Sequence, residues 1–162
     1  MSGLLDARFR LAGLVAVTVV VADQVTKAIV THTMRLHESI PLLPPVFGLT
    51  YVRNTGAAFG ILATAPPAVR LPLFLAVTVA AGAALVSFLR SAAPERRWLV
   101  GALGGILGGA VGNLICRLRF GEVIDFLDLH WRHFQWPMFN VADSAITVGV
   151  TIVILDGFFG RE

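Results

Sequence analysis

The chain has 162 residues, 56% of them hydrophobic and only 14% charged, with a formal net charge of +3. A soluble domain of this length needs a more polar surface, so the class is a polytopic membrane protein. Scattered arginines exclude a nucleic-acid footprint, and a single cysteine, Cys116, excludes an intrachain disulfide.

The first apolar segment predicts a span over about 9–30. Arg8 and Arg10 precede it as in a secretory signal. However, Val19 to Gln24 has no small-x-small cleavage site and three more apolar segments follow, so it reads as a retained span. Its outer part has to include Asp23, Gln24 and Lys27. Asp23 and Lys27 are four apart, share a helix face and can pair. Lys27 reads as a snorkelling side chain, and Asp23, one turn deeper, as a residue inside the bundle.

Residues 31–69 read as an extramembrane cradle. Pro41, Pro44, Pro45, Pro66 and Pro67 break helices there. Val46 to Val52 alternates loosely, like a strand. It ends in Arg53-Asn54-Thr55-Gly56-Ala57-Ala58-Phe59-Gly60, where Asn54 and Gly56 suit a tight turn. By itself this run is equally a turn or a binding loop.

A second span is expected over 71–89, with Pro72 at its start where the missing N–H does no harm. A short polar loop with Arg90, Pro94, Glu95, Arg96 and Arg97 leads to a third span over 98–116. Glycines at 101, 105 and 109, and at 104, 108 and 112, make two ridges for close helix packing in lipid. Asn113, near the end of that span, needs a hydrogen-bond partner. Residues 118–140 form a second outer loop, with Trp131, Phe134 and Trp136 suited to the membrane interface. A fourth span is expected over 141–159.

Four spans put both termini on one side. Arginines 8, 10, 90, 96, 97 and 161 then face one compartment, and 35, 53, 70, 117, 119 and 132 the other. The tally is a tie, but the first set lies in shorter segments, which favours cytoplasmic termini. Asp125, Asp143, Asn54, Asp23 and Lys27 all fall at the opposite, outer face. Two carboxylates close together at the edge of the bilayer cannot both ionise cheaply. They share a proton, one serving as base toward water and the other as acid toward a carbonyl. Asp143 with Asn140 can equally be a cap for the fourth helix, and both readings stay open on spacing alone. Asp128 reads as a solvated or structural loop residue. His130 and His133 are three apart without a completing ligand set, which favours an interfacial loop over a metal site. Ser144 has no evident base.

Five motifs in order resemble one family. They are Asp23-Gln-Val-Thr-Lys27, Asn54-Thr-Gly-Ala-Ala-Phe-Gly60, Gly108-Gly-Ala-Val-Gly-Asn113, Val123-Ile-Asp-Phe126 and Phe139-Asn-Val-Ala-Asp-Ser144. Together they look like the lipoprotein signal peptidases (signal peptidase II). The resemblance implies an all-α polytopic membrane protein: four transmembrane helices in a single membrane domain, with a small β-rich extramembrane cradle between helices 1 and 2. It implies an aspartic endopeptidase that removes signal peptides from bacterial prolipoproteins, cutting before a diacylglyceryl-modified cysteine. By position Asp125 and Asp143 would be catalytic. Asp23, Lys27, Asn54, Gly56, Asn113, Arg117 and Asn140 would shape the site or bind substrate. No metal or organic cofactor is implied. The implied partners are prolipoprotein substrates, membrane lipid and a globomycin-like cyclic peptide inhibitor, with no nucleic acid and a monomeric protein. The implied location is the bacterial cytoplasmic (inner) membrane, with the active site near its outer face. The family usually has Asn-x-x-Asp-Arg where this chain has Asn113-Leu-Ile-Cys116-Arg117. A thiol supplies neither the charge nor the two acceptors of a carboxylate. Cys116→Asp is expected to retain or improve activity. The rival readings are a non-enzymatic scaffold or transporter subunit, and a metal-dependent protease using His130 and His133.

Overall fold

A computed structural model describes residues 2–56, 62, 64–93 and 95–159, and the side chains from residue 7 onward. The Ala57 to Gly60 part of the second motif, Pro94 and Arg161 lie outside the described residues. Four helices, α1 (Ser2–Thr33), α2 (Pro67–Ser91), α3 (Arg97–Phe120) and α4 (Val141–Phe159), are each long and apolar enough to cross a membrane.

Three helices overrun the apolar runs that announced them. α1 extends over Thr31 to Thr33, where threonine hydroxyls bond carbonyls one turn back. α3 continues through Arg117 and Arg119, cations favoured at a helix C-terminus. It stops where Gly121 adopts φ 74° and bonds its N–H to the Arg117 carbonyl. α2 starts earlier than expected, with Pro67 in its first turn and the Val69 and Arg70 N–H groups bonded to the Pro66 carbonyl. Pro72 therefore lies inside the helix rather than at its start.

α3 is the centre of the bundle. Within its most apolar stretch 61% of residues are buried, against 17% in α1 and α4 and none in α2. The glycine ridges explain how it sits there. A Cβ on Gly108 would come within 2.6 Å of the Ala16 carbonyl oxygen, and one on Gly112 within 2.7 Å of Asp23 Oδ2, so this ridge faces α1. The other ridge faces α4, Gly105 against Ala145 and Gly109 against Ala142. Gly101 meets nothing within 4 Å, so that ridge starts one turn later than the spacing suggests.

Strands β1 (Ser39–Leu43), β2 (Phe47–Asn54), β3 (Val123–Trp131) and β4 (Phe134–Gln135) form one antiparallel sheet in the order β1-β2-β3-β4. The cradle is therefore not confined to the connection between α1 and α2. The segment 118–140, read as a loop, supplies its longest strand. The Val-Ile-x-Phe run at 123–126 carries the β-prone residues that signal it. Val30, Met34, Tyr51, Cys116, Val123, Ile124 and Phe126 pack into a core where the sheet meets α1 and α3.

Candidate active site

The two aspartates reach one place by a backbone device. Strand β3 leaves α3, and Phe139 then pairs back onto it: the Phe126 and Leu127 N–H groups both bond the Phe139 carbonyl. That sets Asn140, the residue before α4, beside Asp125. The side-chain Nδ2 of Asn140 donates to Asp125 Oδ1 at 2.7 Å. Its backbone N–H donates to Asp143 Oδ2 at 3.2 Å, and its Oδ1 accepts the Asp143 N–H at 2.9 Å. This exchange is a reciprocal helix cap. Capping and pairing of the carboxylates, alternatives on spacing alone, are thus one arrangement: the cap fixes Asp143, and the capping amide bridges to Asp125.

The other carboxylate oxygens are held from different elements. Asn54, at the end of β2, donates to Asp125 Oδ2 at 3.1 Å, since the β2–β3 register puts Asn54 opposite Val123 and Val52 opposite Asp125. Asn113 of α3 donates to Asp143 Oδ1 at 2.7 Å. The Asn54 Oδ1 accepts the Gly56 N–H, closing a turn, and Arg117 donates to the Gly56 carbonyl at 3.1 Å. The Arg117 guanidinium also lies 4.2 Å over the Phe74 ring of α2.

Behind this layer lies a buried charge pair. Lys27 donates to Asp23 Oδ2 and to Asn113 Oδ1, both at 2.9 Å. Asp23 Oδ1 in turn accepts the Ala142 N–H in the first turn of α4. Asp23 and Asn140 are fully buried and Lys27 is 2% exposed. Lys27 thus does not reach water as a snorkelling side chain would; two polar partners, one of them a carboxylate, outweigh the pull of solvent. Its ammonium thereby ties Asp23 of α1 to Asn113 of α3.

Burial raises the Asp125 carboxyl from its ordinary 3.8 to about 6, and the negative charge of Asp143 adds to the rise. Hydrogen bonds from Asn54 and Asn140 and the charge of Lys27 work against it. Asp128 behaves oppositely. Its partial burial is outweighed by bonds from Thr50, Gln135 and His130, and its carboxyl lies below the ordinary value. The sequence reads it as a solvated or structural loop residue; it is instead buried within strand β3, where it is bonded to Thr50 of β2. Among the described residues no three His, Cys, Asp or Glu side chains converge as metal ligands, and His130 lies beside Asp128.

All nine residues singled out in the sequence thus lie in one hydrogen-bonded assembly at the sheet end of the bundle. Three polar residues were missed. Gln24 donates to Asp23 and to the Gly112 carbonyl, with Cys116 Sγ at 3.8 Å. Arg70 bonds the Thr55 carbonyl. Asp156 pairs with Arg96 at the far end of the bundle. Each is a polar group within a membrane helix, which is the signal that could have found it.

Known proteins are similar to this chain over most of its length. A family model described as Signal peptidase (SPase) II matches residues 15–159. The lipoprotein signal peptidase of Syntrophotalea carbinolica is 50% identical over 149 residues, 92% of this chain and 91% of that one. That of Geobacter metallireducens is 47% identical over 148 residues, 91% and 90% of the two chains. A solved structure of a bacterial membrane enzyme superposes with a TM-score of 0.81 at 36% identity, covering 93% of this chain and 91% of that one. The match takes in both aspartates, the residues that hold them and most of all four helices, and the chain belongs to the signal peptidase II family.

Proposed function

We propose that this chain removes signal peptides from bacterial prolipoproteins as an aspartic endopeptidase of the membrane, with Asp125 and Asp143 as its catalytic pair. The observation that carries the reading is the Asn140 bridge, which donates to one oxygen of each aspartate. A pair held this way works with one carboxylate ionised and the other protonated. The ionised member takes a proton from a water lying between the carboxylates. The water oxygen attacks the carbonyl carbon of the peptide bond before the diacylglyceryl-modified cysteine. The protonated member gives its proton to the carbonyl oxygen. As the resulting diol collapses, the first aspartate passes the proton it took from water to the cysteine nitrogen, which leaves as the amine, and a diol hydroxyl returns its proton to the second aspartate. Asn54, Gly56 and Arg117 line the approach from the sheet and supply contacts to the substrate backbone. Asp23, Lys27, Asn113 and Asn140 hold the pair from behind. The substrate enters sideways from lipid, with its acyl chains left in the bilayer.

The site end is assigned to the outer face of the cytoplasmic membrane and the termini to the cytoplasm, supported by the density of arginines in the short segments. The enzyme is assigned as a monomer, and as a target for a globomycin-like cyclic peptide that occupies the substrate approach. Cleavage of a synthetic diacylglyceryl-cysteine peptide tests the reading. Wild type is expected to cut it. Asp125→Asn and Asp143→Asn are each expected to lose activity at least about a thousand-fold while still unfolding in a cooperative transition. Retained cleavage in either variant would leave a scaffold or transporter as the better reading.

A further inference from the structure

Arg70 sits in the first turns of α2, where a cation opposes the partial positive charge of the helix start. An arginine at the end of a membrane helix ordinarily snorkels to water. This one is 8% exposed, and among the described residues its Nε has no hydrogen-bond partner. A buried guanidinium in an unfavourable helix position, with one donor left over, is costly unless its remaining bond does something. That bond is from Nη1 to the carbonyl of Thr55, at 2.7 Å. The next carbonyl, that of Gly56, takes the bond from Arg117. Two arginines from two helices therefore grip consecutive carbonyls, directly after the asparagine that holds Asp125.

The geometry points to Arg70 as a positioning residue for Asp125. It anchors Thr55, and so holds the Asn54–Gly56 turn where the Asn54 Nδ2 meets Asp125 Oδ2. Arg117 shares the task from α3, and its stacking on Phe74 ties the same end of α2 to the turn. α2 buries nothing in its most apolar stretch, so these contacts are its tie to the site. The catalytic consequence rests on the peptidase reading; the anchoring itself does not.

Two measurements separate the two. Hydrogen exchange of the segment 53–56, read by mass spectrometry on the full chain in detergent, needs no activity. Arg70→Met is expected to speed exchange there at least about ten-fold, with Arg70→Lys restoring most of the protection. Unchanged exchange in Arg70→Met overturns the proposal, whatever the wild type cleaves. Cleavage of the lipidated peptide gives the second readout. Arg70→Met is expected to lower kcat about ten-fold with KM within about two-fold. In an Asn54→Ala background the same substitution is expected to cost less than about two-fold, because its effect passes through Asn54. An undiminished ten-fold loss in that background, or no loss in the single variant, also overturns it. A wild type that does not cleave would sink the peptidase reading, and the exchange result would still decide the anchor.

Discussion

Asp125 is unusual in having its neighbours push and pull on one carboxyl. Burial and Asp143 raise it to about 6 while three polar groups resist. The unfolded chain therefore releases this proton at a lower pH than the folded one. Stability is lost as pH rises from the ordinary 3.8 toward 6, by up to about 3 kcal/mol. Asp125→Asn removes that titration. Its stability relative to wild type should shift in its favour between pH 3.5 and pH 7, measured by thermal unfolding in detergent. An unchanged difference across that window would mean the carboxyl is not held up in the fold. Cys116 is the other instructive residue. It is 1% exposed and packed among Val30, Met34, Tyr51 and Phe126, where a thiol behaves as a small hydrophobe. A pocket of about 90 Å³ beside it is also lined by Gln24, Lys27 and Arg119, so a carboxylate there would have donors within its surroundings. Cys116→Asp is accordingly expected to keep peptide cleavage within about three-fold of wild type or above. A hundred-fold loss would show that the thiol is required.

At the scale of elements, α3 decides the geometry because its glycines let two helices approach on opposite sides. The two ridges were legible from their spacing of four. Which neighbour each ridge faces was not, since a spacing carries no address. Gly108→Ala should lower the unfolding temperature clearly, by an amount fitting about 1–3 kcal/mol of overpacking, as its Cβ would meet the Ala16 backbone. Gly101→Ala, with open space around it, should be neutral or stabilising, since alanine is the better helix former. Equal losses at the two positions would argue against this packing. Strand β3 shows the opposite limit. Val123 to Trp131 lies within the segment 118–140 that reads as a loop; Asp125 and Asp128 interrupt its apolar pattern, and they are the residues the sheet places.

The whole molecule is polarised. The sheet and the paired carboxylates lie at one end. At the other, Arg96 holds Asp156 at 2.9 Å, and Arg8 bonds the carbonyls of Arg90 and Ala92 at the end of α2. Alkaline phosphatase is active only outside the cytoplasm. Fused within the β3–β4 turn it should be active in cells, and fused after residue 162 it should be silent. The reverse pattern would invert the proposed orientation and move the site to the cytoplasmic face.

Composition and apolar run length by themselves determined a four-span membrane protein, because lipid demands about 20 apolar residues per crossing whatever else the chain does. The order of spans determined that Asp23, Asn54, Asp125 and Asp143 share one face, because each crossing reverses direction. The ordered motifs determined the family resemblance. What only the tertiary structure decided was contact. Asn140 reaches Asp125, Lys27 turns inward to Asn113, Asp23 takes the Ala142 N–H, and Arg70 takes hold of Thr55. The bonds from Asn140 to Asp125, from Arg70 to Thr55, from Lys27 to Asn113 and from Ala142 to Asp23 join residues from 15 to 119 positions apart. Local sequence is silent about such pairs, because which buried donor meets which buried acceptor is settled only when the helices and the sheet pack together.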